Sequence, residues 1–374
     1  MTTDDGIIIV TGSNGRIGDA VMRRFAGRFD HVVGFDRKAD NPPPPGCVYV
    51  PVDITSDDSV REGLKAIREH HGSRVASFVH LAAYYDFLGE PSPQYEEITV
   101  RGTGRLLRGL RDLGFQVEQF VFSSTMLVHR AAEPGQLIDE DSPIEPRWAY
   151  PASKVKTEQV IRDGRGDIPA VLLRISGVYD DGCHSIPLAQ QIQRVYERQL
   201  SSRVYAGTTA HGASYLHIDD LVDAIGAAVE RRAALPPELP LLLGEPETLS
   251  YDELQHTLAV LLHGDHLETI PIPIQLKPLI KIGAWLLAKI PGRERWIRPW
   301  MIDRAGDHYA LDTTQARTLL GWEPTRSLRD TLPTMVAVLK ADPLGWYREN
   351  ELQPPRSLRK HTTHRGHQGA TSGR

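Results

Sequence analysis

The stretch IIIVTGSNGRIGDAV, residues 7–21, places three glycines between a β-rich run and a helix-like run. Gly12, Gly15 and Gly18 meet three needs of a strand–turn–helix unit that binds a pyrophosphate: a tight turn, close backbone approach, and close packing of the helix on the strand. A helix that begins here offers free N–H groups and a partial positive charge to phosphate groups. The residues predicted to bind a nucleotide cofactor are Gly12, Asn14, Gly15, Arg16, Ile17 and Gly18.

Outward from this loop, the first half of the chain alternates short runs rich in Val, Ile and Phe with runs of helix-like periodicity. The helix-like runs cover residues 17–28, 57–70 and 95–112. Strands that alternate with helices form βαβ units and a parallel sheet. The sequence therefore predicts an α/β fold, a Rossmann-type doubly wound parallel sheet.

The 374 residues are many for a single core, so we expect two lobes. The nucleotide-binding domain is expected over residues 1–176, with residues 213–232 returning to it. Residues 177–350 are less regular and partly rich in proline, and are expected to form mainly a smaller C-terminal substrate-binding cap. Residues 352–374 contain no acidic residue and few apolar ones, which predicts a disordered basic tail.

Composition argues against several classes of protein. The net charge of -5 gives no reason to expect nucleic-acid binding. Cys47 and Cys183 form neither a metal-ligand spacing nor a disulfide framework, so we expect no metal and a reducing, cytoplasmic compartment. Acids precede only a short apolar run at the N-terminus, and no stretch offers about 20 uninterrupted apolar residues, so neither a secretory signal nor a spanning helix is expected.

An acid at the end of the second predicted strand bears on the choice of cofactor. Asp36 ends the run VVGFD, where a carboxylate accepts hydrogen bonds from the adenosine ribose. Because this carboxylate would repel a 2′-phosphate, the sequence favours NAD over NADP. Arg37 and Lys38 follow directly and leave a phosphate partner open, and Arg37 is included among the predicted cofactor-binding residues.

Asp53 and Ile54 follow the third predicted strand, in PVDITSDDSV. We expect them to bind the cofactor, with Asp53 near the adenine amino group. The competing interpretation is that Asp53 caps the next helix, although Ser56 lies nearer to that helix.

The order of several further motifs resembles that of a known family. They are VDI, HLAA (80–83), VRGTGRLL (100–107), FSSTMLVH (122–129), YPASK (150–154), YLHIDDLVDAI (215–225) and LLGWEPTRSLRDTL (319–332). Together with the glycine loop they resemble the extended short-chain dehydrogenase/reductase family, in its NAD-dependent epimerase/dehydratase branch, over about residues 7–335.

This resemblance implies catalytic and cofactor-binding roles. Tyr150 and Lys154 match the Tyr-x-x-x-Lys pair of the family, and Thr125 matches its hydroxyl residue, with neighbouring Ser123 and Ser124 able to compensate. The further cofactor-binding positions are Leu81, Ala82, Ala83 and Ser123, with Tyr150 and Lys154 serving there too. The resemblance also implies a homodimer formed through the helices of residues 95–112 and 150–163.

Two positions depart from the family pattern. Thr99 stands where the family often has an asparagine that holds a water of the proton relay. Ala213 stands where nucleotide-sugar enzymes commonly have an arginine that grips the diphosphate, and Arg203 is a candidate to replace it.

The Tyr150–Lys154 pair suggests a mechanism. A free tyrosine has a pKa near 10. A lysine charge about 4 Å away, at an effective dielectric near 20, contributes roughly 4 kcal/mol. That is enough to bring the pKa of the phenol near 7, and the positive nicotinamide ring would act in the same direction. Tyr150 is then expected to take the proton of a substrate alcohol while hydride leaves for the nicotinamide, with Thr125 holding the same oxygen.

The substrate is less defined than the chemistry. The leading expectation is a secondary alcohol of a sugar or nucleotide sugar, epimerised by hydride removal and return. An NAD-dependent dehydrogenase of a sterol-like or lipid alcohol is the first alternative. A non-catalytic NAD-binding regulator is the second. An apolar stripe with lysines and arginines over residues 276–300 allows contact with an anionic membrane surface, but a cap helix over the substrate pocket is favoured.

Overall fold

The computed structural model describes residues 4–38, 42–86, 90–273, 275, 304, 306–355 and 358. The chain divides into two compact units. The first unit comprises Met1–Ser176, Ile218–Pro246 and Tyr309–Thr325, and the second comprises Gly177–His217, Glu247–His308 and Arg326–Arg374. The chain therefore returns to the first unit over Ile218–Pro246 rather than residues 213–232, and again over Tyr309–Thr325, which was not predicted.

Twelve strands and ten α-helices lie in the described part of the chain. The strands are β1 (Asp4–Thr11), β2 (Phe29–Asp36), β3 (Cys47–Pro51), β4 (Arg74–His80), β5 (Gln116–Val117), β6 (Phe120–Thr125), β7 (Ala170–Ile175), β8 (Gly177–Tyr179), β9 (Val204–Ala206), β10 (Tyr215–His217), β11 (Glu238–Leu243) and β12 (Ile270–Ile272). The helices are α1 (Arg16–Phe25), α2 (Asp57–His71), α3 (Gly102–Asp112), α4 (Ala149–Gly164), α5 (Ile186–Tyr196), α6 (Ile218–Glu230), α7 (Tyr251–His263), α8 (Thr314–Leu320), α9 (Leu328–Ala341) and α10 (Pro343–Glu349). Three 3₁₀ turns cover Met126–Val128, Leu200–Arg203 and Arg232–Ala234.

The first unit is built on one parallel sheet with strand order β11-β7-β6-β4-β1-β2-β3, and β5 pairs beside β4. The strand order reverses between β1 and β4, and in such sheets ligands bind outside the carboxyl ends of the strands at the reversal. The predicted doubly wound parallel sheet is confirmed. The reversal point brings the ends of β1 and β4, Thr11 and His80, side by side.

Helices cover both faces of this sheet. Val33 and Phe35 of β2 face a buried cluster that includes apolar residues of α2, α3 and α4. Gly34, between them, faces the other way, where an added Cβ would lie 2.7 Å from Met22 Sδ of α1. Alternation along a strand places successive side chains on opposite faces, and burial of each large apolar side chain contributes roughly 1.5–3 kcal/mol.

The predicted helix over residues 95–112 differs in its first half. Tyr95–Arg101 form a π-helix, and α3 continues from Gly102. The Thr99 carbonyl at this junction accepts hydrogen bonds from the hydroxyls of Thr103 (2.6 Å) and Thr157 (3.4 Å). Two threonine hydroxyls thus bind the Thr99 carbonyl near the point where the π-helix gives way to α3. Turns of π-helix often occur at functional sites.

The second unit contains two short parallel pairs, β8 with β10 and β9 with β12, and helices around a core of its own. In that core the Tyr347 hydroxyl donates to Glu197 (2.7 Å). Among the described residues, no helix has the length and apolar character needed to cross a bilayer. The predicted basic amphipathic stretch and most of the predicted tail lie outside the described residues.

Candidate active site

The glycine loop that follows β1 is shaped by close backbone contacts. Gly12 has φ +70°, and an added Cβ would lie 3.0 Å from the Ala82 backbone nitrogen. A Cβ at Gly18 would overlap the Gly12 carbonyl. The helix α1 begins after Gly15 without a side-chain cap, so its first N–H groups have no capping partner from that residue. These are the features that the sequence predicted for a pyrophosphate loop.

Two polar side chains of the loop are buried without a hydrogen-bond partner in the described part of the chain. They are the hydroxyl of Ser13, whose residue is 4% exposed, and the amide nitrogen of Asn14. Buried polar atoms normally have partners, so these atoms suit a bound ligand. The loop therefore fits the phosphates of NAD. Ser13 was not predicted, and its place between Gly12 and Asn14 was the available signal.

Asp36, at the end of β2, is fixed beside this loop. Its two carboxylate oxygens accept hydrogen bonds from the backbone N–H groups of Asn14 (3.0 Å) and Arg37 (2.8 Å). The loop and the acid at the end of the second strand are thereby brought together, as predicted. Of the other predicted residues here, Gly15, Arg16 and Arg37 are exposed and Ile17 is partly buried.

Asp53 does not cap the next helix. Ser56 is the N-cap of α2, and its hydroxyl accepts the Ser59 N–H (3.2 Å). Asp53 instead accepts hydrogen bonds from the backbone N–H and the hydroxyl of Thr55. Burial raises its pKa, but the Thr55 hydrogen bonds and nearby arginines outweigh burial and lower the pKa below its ordinary value. The adjacent Ile54 is 7% exposed.

The turn after β4 is tied to the end of β1 by one hydroxyl. Thr11 Oγ1 accepts the backbone N–H groups of Leu81 and Ala82, both at 3.1 Å. The same oxygen lies 2.7 Å from His80 Nδ1. The predicted cofactor-lining residues Leu81 and Ala82 are therefore held against the glycine loop. Ala83 continues the turn and is partly buried.

The hydrogen bonds around His80 determine its protonation. Thr103 donates its hydroxyl to the Thr99 carbonyl, so it can only accept from His80 Nε2, at 2.8 Å. The proton therefore sits on Nε2, and Nδ1 accepts the Thr11 hydroxyl. Burial first, and the Lys154 charge second, lower the pKa of His80 to about 3. A neutral histidine thus joins β1, β4 and α3, a role that sequence reasoning missed.

Thr99 also has an assigned contact. Its hydroxyl accepts the Tyr84 backbone N–H at 2.9 Å, and the residue is fully buried. At the position where the family often has an asparagine, this chain uses a threonine to hold the turn after β4.

The predicted catalytic residues meet at the end of β6 and the start of α4. Thr125, the last residue of β6, is near enough to Tyr150 to lower the pKa of its phenol. Lys154, one helical turn later, donates from Nζ to the Ser123 carbonyl (2.6 Å), and its Nζ lies 5.8 Å from the centre of the Tyr150 ring. The structure thus brings Tyr150, Lys154, Thr125 and Ser123 together.

The two serines before Thr125 serve other contacts. Ser123 donates its hydroxyl to the His80 carbonyl (3.2 Å), while Ser124 donates to Glu158 (2.6 Å). Successive residues of a strand point to opposite faces, which separates Ser124 from Thr125. The expected compensation for Thr125 by its neighbours therefore has no support in their contacts.

Burial is the largest influence on the pKa values of the predicted catalytic pair, Tyr150 and Lys154. Burial lowers the pKa of Lys154 to about 7, and the charge of Glu158 opposes this change. Burial, Tyr85 and Tyr95 raise the pKa of Tyr150 above its ordinary value, while the neighbouring Thr125 side chain lowers it. The chain's own groups do not bring the pKa of the phenol near 7 as expected, because burial is the largest influence on it and Lys154 is not among the groups that shift it.

A buried ionic network lies behind Lys154. Glu158, 2% exposed, accepts from the Ser124 hydroxyl and from Arg174 Nη2 (3.0 Å). Arg174 Nη1 donates to His129 Nε2 (3.1 Å), and His129 Nδ1 donates to the Ser142 carbonyl (2.9 Å). Burial, then the Arg174 charge, lowers the pKa of His129 to about 4. The network was missed, although Glu158 follows Lys154 at helical spacing.

The second unit contains the residues considered for a diphosphate grip. Ala213 is partly buried, and Arg203 is an exposed residue at the end of a 3₁₀ turn. Within the described residues, no group of three or more His, Cys, Asp and Glu side chains is arranged to hold a metal ion.

The chain is similar to proteins of known type. The model of the NAD dependent epimerase/dehydratase family matches residues 8–241. A 3-beta-hydroxysteroid dehydrogenase of Mycolicibacterium neoaurum is 24% identical over 340 residues, which cover 87% of this chain and 88% of the relative. A UDP-glucose 4-epimerase of Azospirillum brasilense is 28% identical over 240 residues, which cover 58% and 66% respectively.

Solved structures share the fold. The UDP-glucose 4-epimerase of Thermus thermophilus in complex with NAD has a TM-score of 0.64 at 21% identity, covering 90% of this chain and 99% of that one. A putative epimerase from Burkholderia cenocepacia J2315 has a TM-score of 0.66 at 20% identity, covering 90% and 98%. The family description names NAD, and the cofactor predicted from the glycine loop and Asp36 is confirmed.

Proposed function

Because the chain belongs to the NAD-dependent epimerase/dehydratase family, and is therefore an enzyme of that type, we propose that it oxidises a secondary alcohol of a sugar or nucleotide sugar. Hydride removal and return would then epimerise the carbon. The observation that carries the proposal is the position of buried Lys154, whose Nζ donates to the Ser123 carbonyl of the strand that ends in Thr125 (2.6 Å) and lies 5.8 Å from the centre of the Tyr150 ring. It joins a proton acceptor, an oxygen-binding hydroxyl and a cation in one place.

The roles follow from these contacts. NAD, when bound, supplies the hydride acceptor. Thr125 and Tyr150 hold the alcohol oxygen, and Tyr150 takes its proton as the carbon loses hydride, which leaves a ketone. Return of the proton from Tyr150 and of hydride to either face of the ketone gives back an alcohol, so no net oxidation occurs.

Lys154 would supply the charge that this step needs. Burial disfavours a phenolate at Tyr150, and a positive charge nearby would stabilise that phenolate. The Ser123 carbonyl holds the lysine nitrogen at 2.6 Å, and the Glu158 carboxylate favours its protonated form.

A second candidate is an NAD-dependent dehydrogenase of a sterol-like alcohol. It is supported by the hydroxysteroid dehydrogenase relative, which matches 87% of the chain, and by Ala213 at the position of the diphosphate-binding arginine. Such an enzyme would use the same residues but release the ketone and NADH.

One assay separates the candidates. The protein is incubated with NAD and either UDP-glucose, UDP-galactose or a panel of 3β-hydroxysteroids, and both NADH absorbance and products are followed. Conversion of one UDP-sugar to its epimer without accumulated NADH supports the sugar epimerase. Accumulated NADH with a steroid ketone supports the dehydrogenase and contradicts the first proposal. The absence of turnover in both sets would contradict both candidate substrate classes.

A further inference from the structure

Two tyrosines, Tyr85 and Tyr95, contact the ring of Tyr150 within the first unit, and a third, Tyr84, contacts Tyr95. The rings of Tyr85 and Tyr150 lie 5.0 Å apart, measured between centres, at an angle of 81°. The rings of Tyr95 and Tyr150 lie 6.5 Å apart, and those of Tyr84 and Tyr95 lie 4.8 Å apart at 78°. We call Tyr84, Tyr85 and Tyr95 the tyrosine wall.

Two members of the wall are held by the fold. The Tyr84 backbone N–H is bound by the buried Thr99 hydroxyl, and the Tyr95 hydroxyl donates to the Asp86 carbonyl (3.3 Å). Tyr95 is only 4% exposed and begins the π-helix. These contacts fix the backbone on both sides of Tyr85, so its ring is presented by a supported turn.

Tyr85 differs from its neighbours because 52% of its surface is exposed. Single exposed aromatic residues are common on protein surfaces and need no explanation by themselves. Here, however, the exposed ring contacts the ring of the proton acceptor. A molecule whose alcohol reaches the Tyr150 hydroxyl would therefore pass beside the Tyr85 ring.

The chemistry of the wall selects a kind of ligand. Aromatic faces carry partial negative charge and attract the C–H edges of a ring placed on them. The tyrosine side chains beside Tyr150 carry no charge at neutral pH, so the wall itself offers no ionic contact to a substrate. An uncharged saturated ring with a C–H face matches it better than an anionic group does.

Resting on the function proposed above, we propose that Tyr85 is a stacking subsite for the saturated six-membered ring that bears the reacting alcohol. Both the pyranose ring of a nucleotide sugar and the A ring of a hydroxysteroid have this chemistry. The subsite determines specificity for a ring over an open chain, whereas Tyr150, Lys154 and Thr125 serve the reaction itself.

Binding is measured by calorimetry on the NAD-saturated Tyr150→Phe variant, which keeps the ring but removes the proton acceptor. UDP-glucose is compared with UDP, and a 3β-hydroxysteroid with 2-dodecanol. Each ring alcohol thus has a partner that lacks the saturated six-membered ring. The ring alcohol that binds identifies the source. Adding Tyr85→Ala should weaken its binding by about 3- to 10-fold, the range of one aromatic contact. Tyr85→Phe should stay within about 2-fold, and the partners without the ring should not respond.

Leu137→Ala is the matched control, because Leu137 is another exposed large apolar residue of the first unit, at 62%. It should bind the ring alcohol as the parent does. Three results would overturn the proposal: Tyr85→Ala leaves binding of the ring alcohol as tight as in Tyr150→Phe alone, it weakens binding of the partner without the six-membered ring equally, or neither ring alcohol binds. Failure of the proposed function has a different result: the ring alcohol binds through Tyr85, but protein with Tyr150 intact transfers no hydride from it.

Discussion

Glu158 follows Lys154 by one turn of α4, and its carboxylate counteracts the loss of the lysine's charge that burial produces. The same carboxylate pairs with buried Arg174, so the proposed catalytic cation and a structural cation are both influenced by one carboxylate. Glu158 therefore influences the proposed chemistry from one turn further along α4, away from the reacting atoms.

Removal of the Tyr150 hydroxyl should abolish the proton transfer and leave the cofactor site intact. Tyr150→Phe is expected to bind NAD with nearly unchanged affinity and to lose turnover by at least about 100-fold. Tyr196→Phe, a change of the same kind in the second unit, is the control for general effects. Undiminished turnover in Tyr150→Phe would contradict the mechanism.

Glu158→Gln should affect both activity and stability. Because the Glu158 charge raises the pKa of Lys154, its loss lowers that pKa further below about 7, and the high-pH decline of kcat/KM should move to lower pH. Unfolding in urea should show a loss of about 3–5 kcal/mol, since Arg174 keeps a buried charge without its partner.

Glu238→Gln removes the partner of Arg162, where both side chains are about one-third exposed. It should cost no more than about 1 kcal/mol and leave the pH profile unchanged. Equal effects of the two variants would refute a special role for Glu158.

Lys154 should lower stability most at and below neutral pH. Its pKa is lowered from 10.5 to about 7 in the folded chain, so between these values the unfolded chain binds more protons and stability rises with pH. Lys154→Met should therefore be more stable than the parent near pH 6, and its advantage should shrink as the pH rises above about 7. Urea titrations between pH 6 and 9 measure this difference, and an advantage that grows with pH would contradict the assigned shift.

Alanine substitutions at Gly12 and Gly27 distinguish the effect of backbone strain from the effect of a close contact. Their φ values are +70° and +74°, but only a Cβ on Gly12 would meet neighbouring atoms, at 3.0 Å from the Ala82 nitrogen. Both alanine variants should lose about 1–3 kcal/mol from the positive φ. Gly12→Ala should lose more and also lose affinity for NAD, as measured by calorimetry. Equal NAD affinity in the two variants would exclude the loop contact as a determinant.

Thr11→Val tests the bridge between β1 and the turn after β4. The substitution leaves two backbone N–H groups and His80 without their partner, so we expect a loss of about 1–3 kcal/mol and weaker NAD binding. Thr318→Val, whose hydroxyl makes an exposed hydrogen bond within its own helix, should change stability by less than about 0.5 kcal/mol. The same loss in both would mean that the Thr11 bridge contributes nothing of its own.

The resemblance of the ordered motifs and the local patterns were sufficient for the fold class, the cofactor and the grouping of Tyr150, Lys154 and Thr125. Local pattern suffices there because a glycine loop between a strand and a helix has few alternative structures. It was harder to predict which later segments belong to the first unit, because Tyr309–Thr325 joins that unit through contacts with residues distant in sequence. The homodimer, the cytoplasmic location and the role of residues 276–300 stay predictions.

The sequence by itself determined that a nucleotide loop, an acid and a Tyr–Lys pair stand in the order of a hydride-transfer enzyme. Only the tertiary structure decided the electrostatics of that pair. It buries Lys154 against the Ser123 carbonyl of β6 and Tyr150 beside Tyr85, from elements far apart along the chain. Desolvation depends on everything that surrounds a group, so no local spacing predicts it. For the same reason the neutral bridge of His80 became visible only when β1, β4 and α3 were in place.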